Sequence, residues 1–110
     1  MNKKIKVLSI LSTLLVAFFL FSCNTVKTDT YLVDVRTPEE YAEGTIKGAV
    51  NIPLNELGSK IADLKRKTKI MVFCRSGARS SAATELLKSN GITNVIDGGG
   101  IENAKKLVNQ

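Results

Sequence analysis

The chain of 110 residues has no histidine, and its only cysteines are Cys23 and Cys74. Without histidine there can be no Cys–His or Ser–His nucleophilic dyad and no His-ligated metal site. Two cysteines, one of them at the end of an apolar leader, rule out a Cys-x-x-Cys redox pair and a four-cysteine zinc site. Basic residues are not interleaved with aromatics in the stripe that a nucleic-acid reader needs, so nucleic acid is not an expected partner. The formal charge is +6, of which Lys3, Lys4 and Lys6 supply half within the first 22 residues. The remaining positive charge includes the cluster Lys65, Arg66, Lys67 and Lys69. That cluster reads as a solvated loop after a helix, with contact to an anionic membrane surface as the alternative.

Residues 1–22 have the layout of a signal peptide. A lysine-rich start is followed by an apolar stretch over residues 7–21, broken only by Ser9, Ser12 and Thr13. That stretch is short of the ~20 residues that span a bilayer. It ends in Leu20, Phe21 and Ser22, immediately before Cys23. This ending resembles the lipobox of bacterial lipoproteins, which implies lipidation of the Cys23 thiol and cleavage before it. More than one acyl chain would then hold the protein on a membrane. The expected location is the cell envelope or periplasm of a bacterium, as a membrane-anchored lipoprotein. An uncleaved N-terminal anchor and a plain secretory signal are the alternatives, and both also place the domain outside the cytoplasm. Residues 23–30 are then the lipidated cysteine and a short polar tether, and residues 31–110 form one domain.

Within that domain, strand and helix signals alternate. Residues 31–35 read as a strand. Thr37, Pro38 and Glu40 form a helix start, with Thr37 as N-cap, Pro38 at the first helical position and Glu40 closing a capping box. Residues 49–52 read as a second strand, and Leu54, Leu57, Ile61 and Leu64 follow at helical spacing. Ile70, Met71, Val72 and Phe73 form a continuous apolar run, as in a strand buried on both faces. Residues 80–88 read as a helix with Ala82, Ala83, Leu86 and Leu87 turned inward. Val95 and Ile96 read as a last strand, and Gly98, Gly99 and Gly100 as a turn. Ile101, Ala104, Leu107 and Val108 mark a weak terminal helix. The alternation implies an α/β fold with a mainly parallel central sheet flanked by helices.

Cys74 ends the most apolar strand, and Arg75, Ser76, Gly77, Ala78 and Arg79 connect it to the next helix. Ligands of parallel α/β sheets bind beyond the carboxyl ends of the strands. Such a loop can turn its N–H groups inward as an anion-binding nest. Gly77 permits the positive φ that this needs. Together with the helix start and two arginines, the loop should depress the pKa of Cys74 and make it a nucleophile. Arg75 and Arg79 would draw in an anion. Arg79 has a second reading, as a brace paired with a carboxylate beneath the loop.

At these residues the chain resembles the rhodanese homology domain, most of all the small single-domain periplasmic thiosulfate sulfurtransferases. The resemblance rests on four motifs in order: residues 34–41 (DVRTPEEY), 44–53 (GTIKGAVNIP), 72–80 (VFCRSGARS) and the glycines at 98 and 99. It implies the rhodanese-like fold and a persulfide on Cys74, cradled by the loop of residues 74–79. Sulfur would pass from thiosulfate or a similar anionic donor to cyanide or a thiol. No metal or other cofactor is implied, and a monomer is expected. Asp34 and Arg36 match the family's Asp-x-Arg motif, where structural ion pairing near the site is expected. Thr45 stands where many members carry histidine, and Ile101 follows the glycines where many carry tryptophan. Two other functions compete. One is a membrane-tethered sulfur carrier or partner-binding module that does not turn over. The other is a phosphatase or arsenate reductase, but those loops place five residues between Cys and Arg, and here there are four.

Overall fold

A computed structural model describes residues 30–109. The leader, Cys23 and most of the tether lie outside the described residues.

Four parallel strands form one sheet in the order β2-β1-β3-β4. They are β1 (Thr30–Asp34), β2 (Val50–Asn51), β3 (Lys69–Cys74) and β4 (Val95–Gly100). The helices are α1 (Pro38–Glu43), α2 (Ile61–Leu64), α3 (Ala78–Ser89) and α4 (Ile101–Leu107), and a 3-10 segment, Leu54–Lys60, precedes α2. The α/β class with a parallel sheet is as the sequence implies.

Side chains alternate along β3, so one apolar run feeds two cores. Ile70, Val72 and Cys74 face a core shared with Val33, Val35, Leu57, Leu64, Ala83 and Leu87. Met71 and Phe73 face the other way, onto Leu32, Ile46, Ala49 and Ala104. The 3-10 segment, α2 and α3 cover the first face, and α4 covers the second. Each fully buried Val, Ile, Leu or Phe contributes roughly 1.5–3 kcal/mol, and Val33, Ile70, Val72, Phe73 and Leu87 are all fully buried.

Helix α1 starts as its sequence dictates. Thr37 accepts from the Glu40 N–H at 3.2 Å, and Glu40 accepts in return from the Thr37 N–H, also at 3.2 Å. Other boundaries differ from expectation. β2 is limited to Val50–Asn51. Pro53 caps a 3-10 segment, which reaches the α form only at Ile61. Gly58 and Ser59, both poor helix formers, lie at that junction. α3 begins at Ala78, two residues earlier than its apolar pattern suggests, and its inward residues are Ser80, Ala83, Thr84 and Leu87. Ala82 is exposed and Leu86 only half-buried. In α4, Ala104 is buried, while Leu107 is 54% exposed.

The largest correction concerns Gly98, Gly99 and Gly100, which continue β4 instead of turning. Val72 pairs with Asp97 and Cys74 with Gly100, so β4 carries one extra residue there, a bulge. Gly99 has φ +71°. A Cβ on Gly98 would lie 2.9 Å from the Val72 carbonyl oxygen, and one on Gly100 would lie 2.7 Å from that of Arg75. Glycine therefore serves here to let two backbones approach closely.

Candidate active site

Cys74 is the last residue of β3, and the loop of residues 74–79 leads directly into α3. Gly77 is the N-cap of that helix, with φ +113° and ψ −23°, a conformation that favours glycine. The turn aims backbone N–H groups at the sulfur. Gly77 N donates to Cys74 Sγ at 3.0 Å and Ser80 N donates at 3.3 Å. The Ser80 hydroxyl donates to the Gly77 carbonyl at 2.9 Å, which closes the turn.

Cys74 is 1% exposed. Burial is the largest single influence on its thiol and pushes the pKa up. The backbone N–H and side chain of Ser80, with the N–H groups of Gly77 and Ser76, push it down, and the net direction is down. A thiolate in this cradle is held by dipoles fixed in place by the loop, without a neighbouring base.

The two loop arginines converge on Glu40. Arg79 Nη1 lies 2.7 Å from Glu40 Oε1, and Nη2 lies 3.0 Å from Oε2. Arg75 Nε lies 2.8 Å from the same Oε2, and its Nη2 is 3.7 Å from Glu43. The arginines, with hydrogen bonding to Arg79 first, hold the Glu40 carboxyl far below the usual carboxylate range. Arg79 is therefore placed as a brace, and Glu40 is the carboxylate that holds it. Arg75 remains 60% exposed. Ser76 and Ala78 are exposed on the loop, and Gly77 is half-buried.

Asp34 and Arg36 form a buried pair behind the loop. Arg36 Nε and Nη2 reach the Asp34 carboxylate at 2.9 and 2.7 Å, and the Arg36 N–H donates to Oδ1 at 3.0 Å. Arg36 also donates to the Gly44 carbonyl at 2.6 Å, and Thr45 donates its hydroxyl to Asp34 at 2.9 Å. Thr45 thus completes the satisfaction of a buried carboxylate. Removing one partner of such a pair is costly, because it leaves an uncompensated buried charge. Asp34 pairs in register with Phe73, the neighbour of Cys74, so the pair fixes the carboxyl end of β1 beside the cradled thiol.

A cleft of about 460 Å³ opens beside the loop, lined by Arg36, Thr45, Arg75, Ile101 and Lys105 among others. Ile101 occupies the wall and also packs with the second core, so α4 is anchored without a tryptophan. Among the described residues, no group of His, Cys, Asp or Glu could hold a metal ion.

Two contributors were not read from the sequence. In the sequence Glu40 reads as half of a capping box and as part of the motif of residues 34–41, and the acidic helix start following an Asp-x-Arg pair is the signal that points to its grip on the loop. Ser80 lies in the helix as its sequence implies, and its N–H and hydroxyl serve the cradle as well.

The chain is 38% identical over 72 residues to the thiosulfate sulfurtransferase PspE of Escherichia coli, covering 64% of this chain and 69% of that one. It is 36% identical over 69 residues to a sulfurtransferase of Allochromatium vinosum, covering 63% and 64% respectively. Among solved structures, an Escherichia coli rhodanese with anions aligns with a TM-score of 0.62 at 36% identity, over 67% of this chain and 89% of that one. The human single-domain sulfurtransferase aligns with a TM-score of 0.60 at 32% identity, over 90% and 92%. The rhodanese-like domain model matches residues 21–106, most of the chain. A cysteine cradled by N–H groups at the end of a parallel strand, in a fold and sequence shared this widely, makes the chain a member of the rhodanese-like domain family of sulfurtransferases.

Proposed function

We propose that the domain moves sulfane sulfur from thiosulfate, or a similar anionic donor, through a persulfide on Cys74 to cyanide or a thiol acceptor. The observation that carries this reading is the pair of N–H groups, from Gly77 and Ser80, aimed at Sγ. The name of the Escherichia coli relative supports thiosulfate as donor.

In the first step the Cys74 thiolate attacks the outer sulfur of thiosulfate. A new S–S bond forms, the old one breaks, and sulfite leaves with the bonding pair. In the second step cyanide takes the terminal sulfur as thiocyanate and the thiolate returns. The charge passes from Sγ to the outer sulfur, one bond further into the loop, so the N–H groups of Gly77 and Ser80 serve the thiolate and the other N–H groups of the loop serve the persulfide. Arg75 reaches solvent and meets the incoming anion. Arg79, pinned by Glu40, holds the loop. The backbone of Ser76, Gly77 and Ala78 supplies the rest of the cradle.

Cys74→Ser tests the assignment. The variant should fold normally, and intact mass after thiosulfate treatment should show one added sulfur on the wild type only. Equal loading of the variant would overturn the nucleophile. Hydrolysis of an aryl phosphate faster than thiosulfate turnover, and lost in the same variant, would favour the phosphatase reading instead.

We further propose that Cys23 is lipidated and that the domain works at the envelope membrane, on the support of the leader's sequence alone. Because Thr30 already belongs to β1, the tether shortens to residues 24–29 and reaches at most about 21 Å.

A further inference from the structure

The sheet has two chemically different ends. The carboxyl ends of the strands carry the loop, Glu40 and the cleft. The opposite end carries a surface that the sulfur chemistry does not use. Thr30 and Lys69 are register partners at the first rungs of β1 and β3, so the chain enters the domain beside Lys69. Lys65, Arg66 and Lys69 are exposed there, and Lys60 is exposed nearby. None of these four has a carboxylate partner among the described residues. Lys67 lies over the Tyr31 ring, 4.3 Å from its centroid, and shares a hollow with Tyr31, Lys60 and Asp63. Asp63 is the one acidic residue lining that hollow.

The surface is fixed in shape. The Asn94 side chain donates to the Lys67 carbonyl at 2.7 Å and also to that of Thr68. The Asn94 carbonyl accepts from Ile70 N at 3.0 Å. The turn after α3 thus braces the basic loop. α3 runs back from the active loop, so Lys88, in its last turn, ends at the same side.

We infer that this basic end of the sheet, Lys60, Lys65, Arg66, Lys67 and Lys69, docks on a bilayer bearing anionic headgroups and holds the domain with the Cys74 loop turned away from the lipid. The inference borrows proximity to a membrane from the lipidation proposed above, and adds an orientation that a flexible tether alone would not give. Three observations carry it: Lys60, Lys65, Arg66 and Lys69 have no carboxylate partner among the described residues, the cluster lies beside the point where the chain enters β1, and the catalytic loop lies at the other end. Each cation near an anionic surface strengthens attachment about fivefold, and the effect fades within a Debye length.

The test uses the full chain, extracted from membranes and reconstituted into vesicles of neutral phosphatidylcholine, with or without phosphatidylglycerol. Amine acylation, read by mass spectrometry, reports Lys60, Lys65, Lys67 and Lys69 against Lys105 in the active-site cleft. The expected result is a several-fold fall in labelling of the first four on anionic vesicles only, with Lys105 unchanged. Labelling should recover in about 0.5 M salt. In a K65Q/R66Q/K69Q variant the protection of Lys60 and Lys67 should be lost. Equal labelling on both vesicles, or protection of Lys105 instead, overturns the inference. So does protection that appears only when an RNA or an acidic protein is added. Intact mass of the extracted chain reads lipidation separately. An unlipidated chain whose basic end is still protected on anionic vesicles sinks the anchor and keeps the surface.

Discussion

Glu40 holds Thr37, Arg75 and Arg79 with two carboxylate oxygens. Glu40→Gln separates its roles, because glutamine still closes a capping box while the charge that gathers both arginines is gone. The variant should fold, with sulfur loading slowed on the order of 10–100-fold by a misplaced loop. Unchanged loading kinetics would show that the brace is dispensable. The stability difference between wild type and variant has a definite pH course. The folded-state pKa of Glu40 is depressed, so its contribution is complete above the ordinary carboxylate pKa of about 4.3 and is lost as pH falls through the lower folded value. Denaturant midpoints for both proteins across acid pH should therefore converge. Cys74 is likewise shifted down, so the thiolate forms earlier on raising pH than in a free thiol. Alkylation by iodoacetamide should show a lower midpoint for the folded domain than for the unfolded chain, and an equal or higher midpoint would remove the cradle's electrostatic role.

β4 shows how an element can be misread when its function is to leave room. Three successive glycines look like a turn, because glycine is the usual turn residue. In the fold they extend the strand by a bulge, and Gly100 lets the β4 backbone press on the Arg75 and Ser76 backbone. Gly100→Ala should push on the active loop directly. The expected outcome is a loss of ~1–3 kcal/mol in stability, with sulfur loading reduced further than the stability loss explains. Urea unfolding and single-turnover loading measured together check this, and a variant with normal loading would mean that the loop tolerates displacement. The strands, the capping box and the strand-to-helix position of Cys74 were legible because each depends on neighbours within a few residues. The bulge, the grip of Glu40 on residues 75 and 79, and the burial of Ser80 and Thr84 on α3 were not. Each depends on what another segment brings against it, and local periodicity does not carry that information. Thr45 belongs to the same group, since its hydroxyl finds Asp34 only once β1 and the α1–β2 connection are side by side.

At the scale of the whole molecule, every strand among the described residues points the same way, and the central strand β3 takes one partner from before it and one from after it in sequence. β1 comes before it by more than thirty residues, and β4 follows after a full helix. No pair of strands can close by a local hairpin, so the sheet is assembled entirely from contacts distant in sequence, a topology that folds slowly. Until residues 95–100 are available, Ile70, Val72 and the Cys74 loop have an open edge beside them. A chain ending at Asn94 should therefore stay unfolded by circular dichroism and should load no sulfur, and native-like unfolding of that fragment would contradict this account. The same topology sets an order of events in time. A ribosome or an export channel releases β1 first, yet β4, the strand that completes the sheet, emerges only after β3 and α3. If the domain is exported as an unfolded chain, as the envelope location proposed above requires, the delay would keep it threadable until β4 has passed, and the sulfur cradle would come into existence only then.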